Sequence, residues 1–163
     1  MLALVHSAYR GESSRAGWTT EADLLDGPRT SVVLLAADLA DPATTLLVVD
    51  AADGGLLGCA AVTDRGGGSA YFGTFAVRPT AQGAGTGSLL LAAAEEHARA
   101  AGAVRMEMSV LRQRADLLAW YARRGYSPTG ATRPFPYGDE RYGRPRRDDL
   151  EFVVLSAPLD RPA

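Results

Sequence analysis

The chain has 163 residues, and 47 % of them are hydrophobic. Its 17 basic and 19 acidic side chains leave a formal net charge of -2, so no strong overall field attracts nucleic acid or an anionic membrane surface. This length fits a single domain, which we expect to span residues 1–163, and it excludes a two-domain enzyme.

The first 40 residues are predicted to form helices and loops. Leu2, Val5 and Tyr9 recur at helical spacing, and neither a basic leader nor a long apolar run precedes them, which favours a cytoplasmic protein. The hydroxyl of Thr20 precedes an acidic turn and predicts a helix start, and Gly27 predicts its end. The predicted helices are residues 2–9, 21–25 and 31–40.

Three strands are predicted next, because short apolar runs replace the helical pattern. The turn sequence at residues 53–55 separates two such runs, 46–49 and 57–62, and predicts an antiparallel hairpin. Three glycines at residues 66–68 lead into a third strand over residues 70–77, which is rich in aromatic and β-branched residues.

Helices and strands alternate in the rest of the chain. Residues 84–101 are the clearest predicted helix, and a strand at 104–110, a helix at 115–122 and a strand at 152–155 follow. Residues 129–149 are rich in Pro, Gly and Arg and are predicted to be a long loop. This order indicates an α/β protein of the α+β type with a mixed sheet.

The chemically most informative segment lies between the third strand and the clearest helix. It reads Val-Arg-Pro-Thr-Ala-Gln-Gly-Ala-Gly-Thr-Gly-Ser over residues 77–88. Glycines let the backbone approach a ligand, and the free N–H groups of a helix start form an anion site. A P-loop would need a lysine, which this chain lacks, and the dinucleotide fingerprint has another glycine spacing. We therefore expect a pyrophosphate on the backbone amides of residues 83–88, whose side chains offer no cation.

This segment resembles the acetyl-CoA motif of the GNAT superfamily of N-acetyltransferases, Val-x-Pro-x-x-Gln/Arg-Gly-x-Gly-x-Gly/Ala. The matching positions are Val77, Pro79, Gln82, Gly83, Gly85 and Gly87. A second stretch is similar to the superfamily's Tyr-x-x-x-Gly-Phe/Tyr segment, with Tyr121, Gly125 and Tyr126 at the motif positions. The two motifs and the order of elements extend the resemblance over residues 45–156.

The resemblance implies a single-domain fold whose mostly antiparallel sheet splays at the acetyl-CoA site and is flanked by helices. Acetyl-CoA is the implied co-substrate, with no metal, and its pantetheine arm is expected to pair with the backbone of Phe75, Ala76 and Val77. The residues expected at its pyrophosphate are Gln82, Gly83, Ala84, Gly85, Thr86, Gly87 and Ser88. Superfamily members usually open with a strand, so we expect that this strand is absent here or that the protein starts upstream of Met1.

The resemblance also implies that an amine attacks the thioester directly, without an acyl-enzyme. Cys59 is then not needed as a nucleophile and is expected to be a buried core thiol. Tyr121 is the expected general acid for the CoA thiolate, with packing beside Trp120 as the alternative. The candidate bases are Glu107 and Glu21, although a solvated or capping carboxylate is the favoured interpretation of each.

Partners and source can be inferred only coarsely. Arg133 and the arginines that follow it could bind an acidic acceptor or the neighbouring subunit of a homodimer, but they alternate with acids, which favours a solvated, self-neutralising loop. Lys, Asn and Ile are absent from the sequence, which indicates a GC-rich and, we expect, bacterial genome.

These features predict an acetyl-CoA-dependent N-acetyltransferase that acts on a small-molecule primary amine. Two alternatives stay open. The same CoA motif permits transfer of another acyl group or transfer to oxygen, and it also permits a CoA-binding sensor module without turnover.

Overall fold

The computed structural model describes residues 1–160. The helices are α1 (Leu2–Tyr9), α2 (Gly11–Ser14), α3 (Val32–Ala40), α4 (Thr86–Ala100) and α5 (Ala115–Ala122). The strands are β1 (Leu25–Asp26), β2 (Thr44–Asp50), β3 (Leu56–Asp64), β4 (Ser69–Val77), β5 (Arg105–Leu111), β6 (Ser127–Pro134), β7 (Arg144–Pro145) and β8 (Glu151–Pro158).

Six of the strands form one sheet in the order β2-β3-β4-β5-β8-β6. The β4–β5 pair is parallel, and the other four neighbouring pairs are antiparallel. The parallel pair is possible because α4 crosses from the end of β4 back to the start of β5. The predicted mixed, mostly antiparallel sheet with flanking helices is confirmed.

Apolar side chains alternate along the strands and cover both faces of this sheet. One face packs on α4 and α5 through residues such as Phe72, Met106 and Leu90. The other face packs on α1, where Val5 contacts the cluster that contains Cys59.

Two predicted segments differ from the structure. Residues 21–25 are predicted to be a helix, but the chain makes a single turn, in which the N–H groups of Leu24 and Leu25 both donate to the Glu21 carbonyl. Leu25 then enters β1, which pairs with β7, because its side chain is buried beside Leu111 and Phe135. Packing against distant residues thus overrides a local capping signal.

Residues 129–149 are predicted to be a loop, yet the first of them belong to β6, which pairs with β8. Every residue of β6 is exposed, so no alternation of apolar and polar residues marks it in the sequence. Its two prolines are tolerated because an edge strand leaves one row of N–H groups unpaired.

The described residues contain no helix whose length and apolar character would let it cross a bilayer. Within the same residues, no three His, Cys, Asp or Glu side chains converge as metal ligands would.

Candidate functional site

The sheet opens where β4 and β5 stop pairing. Their parallel ladder runs over Ser69–Tyr71 on β4 and ends at the Tyr71–Glu107 pair, although both strands continue. A register shift between β3 and β4 follows, and Thr74 adopts a φ of 44°, which is rare for a residue with a side chain. This bulge turns the end of β4, residues 75–77, away from β5 and creates a cleft.

The cleft is lined by residues from both sides of the sheet. The contributors are Ala8, Tyr9, Trp18, Thr19, Phe75, Ala76, Val77, Gln82, Gly83, Gly85, Gly87, Ser88, Arg114, Leu117, Trp120 and Arg124. Eight of the ten predicted binding residues are in this set, whereas Thr86 is buried beneath it and Ala84 is exposed outside it. One continuous surface therefore joins the free edge of β4 to the start of α4.

The start of α4 presents backbone N–H groups to the cleft. The helix has no side-chain cap and no acid in its first turn, so the N–H groups of its first residues have no partner within the helix. Gly85 precedes it with a φ of 94°, and a Cβ there would meet nothing within 4 Å, so it would project into open space. At Gly87 the space is tight, because a Cβ would lie 3.2 Å from the Phe75 ring.

The Gln82 side chain connects the two walls of the cleft. Its Nε2 donates to the Val77 carbonyl over 3.2 Å, and its Oε1 accepts from the Trp18 backbone N–H over 3.1 Å. The loop that follows α2 is thereby held over the end of β4. Trp18 was not singled out by sequence reasoning, because nothing local marks a contact across 64 residues.

Arg124 supplies the cation that residues 83–88 lack. Its Nη2 donates to Ser88 Oγ over 2.7 Å, and its guanidinium carbon lies 3.6 Å from the centroid of the Trp120 ring. Trp120 lies in α5 and Arg124 lies just after its C-terminal end, so only the fold brings these two residues to the start of α4. Sequence reasoning missed this arginine, although it lies inside the second motif.

Tyr121 lies on α5 beside Trp120, which lines the cleft, but Tyr121 is not itself one of the lining residues. Its side chain is 4 % exposed, and its ring meets the edge of Trp120 at a centroid distance of 5.0 Å. Burial raises the pKa of Tyr121, Tyr9 raises it further, and the positive charge of Arg114 lowers it by a smaller amount. The phenol therefore stays protonated at neutral pH.

Glu21 lies at the centre of a buried ion cluster with Arg10 and Arg114. Arg10 donates to one carboxylate oxygen and Arg114 to the other, the second over 2.9 Å, and the side chains of all three are 7–8 % exposed. Burial alone would raise the pKa of the Glu21 carboxyl, but the guanidinium groups of Arg114, Arg10 and Arg29 lower it overall. A carboxylate held in this way is a weak base and a strong anchor.

Beyond this cluster lies a second space, which we term the arginine cavity. It is lined by Arg10, Glu21, Leu25, Arg29, Tyr71, Ser109, Leu111, Arg133, Pro134, Phe135, Pro136, Tyr142 and Phe152. Tyr9 separates the arginine cavity from the cleft: its hydroxyl donates to the Phe75 carbonyl over 2.6 Å, and the Arg29 guanidinium carbon lies 5.0 Å from its ring centroid.

Glu107, the other candidate base, is at the last paired position of β5, opposite Tyr71. Its side chain is 28 % exposed and lies 3.4 Å from Arg105 Nε. Glu107 lines neither the cleft nor the arginine cavity, whereas Glu21 lines the arginine cavity. Cys59 is buried, its thiol donates to the Thr74 carbonyl over 3.5 Å, and burial raises its pKa to about 11.

The arginine-rich loop neutralises much of its own charge. Arg141 pairs with Asp139 and Arg147 with Asp149, while Arg146 pairs with Asp26 of β1. These contacts support the interpretation of that part of the loop as a solvated surface.

Comparison with known proteins gives both a family and a fold. The model of the acetyltransferase (GNAT) family matches residues 5–126, and no curated protein has significant sequence similarity to the chain. Nourseothricin acetyltransferase is 25 % identical in a match that covers 73 % of this chain and 67 % of its own, with a TM-score of 0.63.

Two further solved structures, at lower identity, share the fold. The IAA acetyltransferase from Bacillus cereus is 20 % identical over 78 % of this chain and 85 % of its own, with a TM-score of 0.65. A GNAT family acetyltransferase from Elizabethkingia anophelis, with acetyl-CoA bound, is 17 % identical over 78 % and 83 %, with a TM-score of 0.66.

Proposed function

Because the chain belongs to the GNAT acetyltransferase family, we propose that it is an acetyl-CoA-dependent N-acetyltransferase that acetylates a small-molecule primary amine by direct attack. The observation that carries this proposal is the cleft, which joins the unpaired edge of β4 to the uncapped start of α4. A strand edge and a helix start suit the two parts of CoA, an amide-bearing pantetheine arm and a pyrophosphate.

In this proposal, backbone groups of the cleft bind acetyl-CoA. The pyrophosphate accepts hydrogen bonds from amides within residues 83–88, and Arg124 adds a positive charge at Ser88. The pantetheine arm lies along residues 75–77 as an added strand, and an N–H of that segment polarises the acetyl carbonyl. The pairing of β3 with Ala76 and Val77 occupies the opposite edge of β4 and supports this assignment.

In the reaction the amine nitrogen attacks the thioester carbonyl, a C–N bond forms, and the C–S bond breaks. The CoA thiolate takes its proton from the Tyr121 hydroxyl, which is buried and protonated on a ring that packs against Trp120 of the cleft lining. The phenol is restored by the second proton of the nitrogen, which is lost after the C–N bond has formed. Positioning of the two substrates supplies most of the acceleration in such a direct transfer.

The proton of the attacking ammonium must leave before the attack. Of the two candidate bases, Glu21 has both oxygens in buried ion pairs, which supports a positioning role for it. Glu107 is the carboxylate that solvent reaches, and we propose that it accepts the proton through water.

The proposal is tested by thiol release. The protein is incubated with acetyl-CoA and a panel of primary amines, free CoA thiol is measured, and the product is identified by mass spectrometry. We expect stoichiometric thiol and N-acetyl product with at least one small amine. Products with alcohols alone would assign O-transfer, and CoA binding without thiol release in any mixture would assign a module without turnover.

A further inference from the structure

The arginine cavity has more positive charge than its own carboxylate can neutralise. Arg10, Arg29 and Arg133 line it, whereas Glu21 is the carboxylate among its lining residues. Both oxygens of Glu21 are already bound, one by Arg10 and the other by Arg114. Over residues 1–160, neither Arg29 nor Arg133 has an ion pair with a carboxylate, and Arg29 is half-buried against the Tyr9 ring.

Two hydrogen-bond donors of the same lining residues are buried without a partner. They are Arg10 Nε and Ser109 Oγ, for which the described residues offer no acceptor. A buried donor without an acceptor destabilises a fold, so such groups usually have a function or a bound partner. A guanidinium N–H and a hydroxyl both donate, which suits a group that only accepts, such as a carboxylate.

The remaining wall of the arginine cavity is apolar. Leu111, Phe135 and Phe152 line it, and the two phenylalanine rings stack with a centroid distance of 6.0 Å. A ligand that fits this cavity therefore combines an anionic group with an apolar body.

The charged part of the arginine cavity and the cleft are in contact with a common side chain. One side chain, Tyr9, contacts both: Arg29 lies 5.0 Å from its ring centroid, and its hydroxyl is 2.6 Å from the Phe75 carbonyl. The smallest molecule that combines a carboxylate and an apolar body with an amine is an apolar α-amino acid.

We infer that the acceptor is an apolar α-amino acid, whose carboxylate is held by Arg29 and Ser109 while its side chain packs on Phe135 and Phe152. This inference rests on the proposed function, since it names the acceptor of the same transfer. In the bound state the carboxylate neutralises Arg29, and the amine lies toward Tyr9, the side chain that Arg29 shares with the cleft.

The inference is tested first by binding, which needs no turnover. CoA-saturated protein is titrated calorimetrically with phenylalanine, leucine and methionine, and with the amide and the decarboxylated amine of each. We expect at least one amino acid to bind about tenfold or more tightly than its amide and its amine, because only the acid offers a charge-assisted partner for arginine.

Two variants make the test specific. Arg29→Gln should abolish the preference for the acid and leave CoA affinity as it is in the parent protein. Arg99→Gln removes an exposed arginine of α4, which packs on the opposite face of the sheet, and should leave the preference intact. Equal binding of acid, amide and amine, or a preference that survives Arg29→Gln, would overturn the inference, as would failure of all three amino acids to bind.

Thiol release in the same samples separates this inference from the proposed function. Turnover of decarboxylated amines and amides at the same rate as the acids would leave the N-acetyltransferase standing and overturn the carboxylate site. Arg29-dependent binding of an amino acid without thiol release from any amine would support the carboxylate site and contradict the transfer.

Discussion

The cleft and the arginine cavity lie on either side of the Arg10–Glu21–Arg114 cluster, but they are built differently. The predicted CoA side of the cleft comes from one stretch, residues 75–88, and presents mainly backbone groups. The arginine cavity collects side chains from residue 10 to residue 152.

This difference explains why one half of the site has a sequence motif and the other does not. A backbone site needs glycines and a helix start at fixed spacing, so it leaves a pattern in a short segment. A side-chain site needs only that the right groups meet in space, and many sequences achieve this. Variants in each half should therefore affect different steps.

Glu21→Gln should have the largest effect, because it leaves Arg10 and Arg114 buried without their counter-charge. Removal of one partner of a buried ion pair costs about 3–5 kcal/mol, and we expect that decrease in the free energy of unfolding, measured in urea. Asp53→Asn breaks the exposed pair with Arg78 and should cost less than about 1 kcal/mol. Similar costs for the two variants would contradict the buried cluster.

The same cluster predicts an acid dependence. Because the folded-state pKa of Glu21 is lowered, its stabilising contribution is complete above the unfolded carboxyl pKa of about 4.3 and is lost as the pH falls through the folded value. The parent protein should therefore lose more stability than Glu21→Gln in that acidic range.

Tyr121→Phe is expected to slow the chemical step without changing the binding of CoA in the cleft or of the acceptor in the arginine cavity. The ring packing is retained, so CoA affinity and acceptor affinity should stay unchanged, while kcat falls at least about tenfold, within the usual range for general acids. Because burial raises the pKa of Tyr121, the phenol stays protonated as the pH rises to about 10, and kcat should not fall through its deprotonation over that range. Parent-like kcat, with chemistry shown to be rate-limiting, would assign Tyr121 to packing.

Gly85→Val tests the backbone half. The side chain would project into the open cleft, and the left-handed φ of 94° adds strain, so CoA affinity measured by calorimetry should fall about tenfold, or about 1.4 kcal/mol. Gly102→Val is the matched control, since Gly102 has a φ of 88° and equally open surroundings at the other end of α4. Equal CoA affinities in the two variants would remove the pyrophosphate from this segment.

Arg124→Gln should have the smallest effect, because it removes one side chain from a site that is mainly backbone. We expect CoA affinity to fall about threefold to fivefold, which is the range of a partly exposed charge contact. The CoA affinity of the variant should also depend less on salt concentration than that of the parent protein. Arg123→Gln changes the exposed neighbour and should leave CoA affinity unchanged. A loss larger than that of Gly85→Val would contradict the difference between the two halves.

Several elements could be predicted closely because their signals are local. The predicted helices at residues 2–9 and 115–122 coincide with α1 and α5, and the hairpin at residues 53–55 joins β2 to β3. The errors occur where distant contacts decide. Leu25 leaves its predicted helix to pack beside Leu111, and β6 depends on pairing with β8 without an apolar pattern of its own.

The sequence by itself determined the order of elements, the glycine segment at the start of α4 and the family resemblance, because periodicity and backbone requirements act over a few residues. Only the tertiary structure decided that Arg124 meets Ser88, that Glu21 is held between two arginines, and that Arg29 and Ser109 line one cavity. The two contacts of Glu21 join residues that are 11 and 93 positions apart in the sequence. No local rule fixes which distant side chains a fold will bring together.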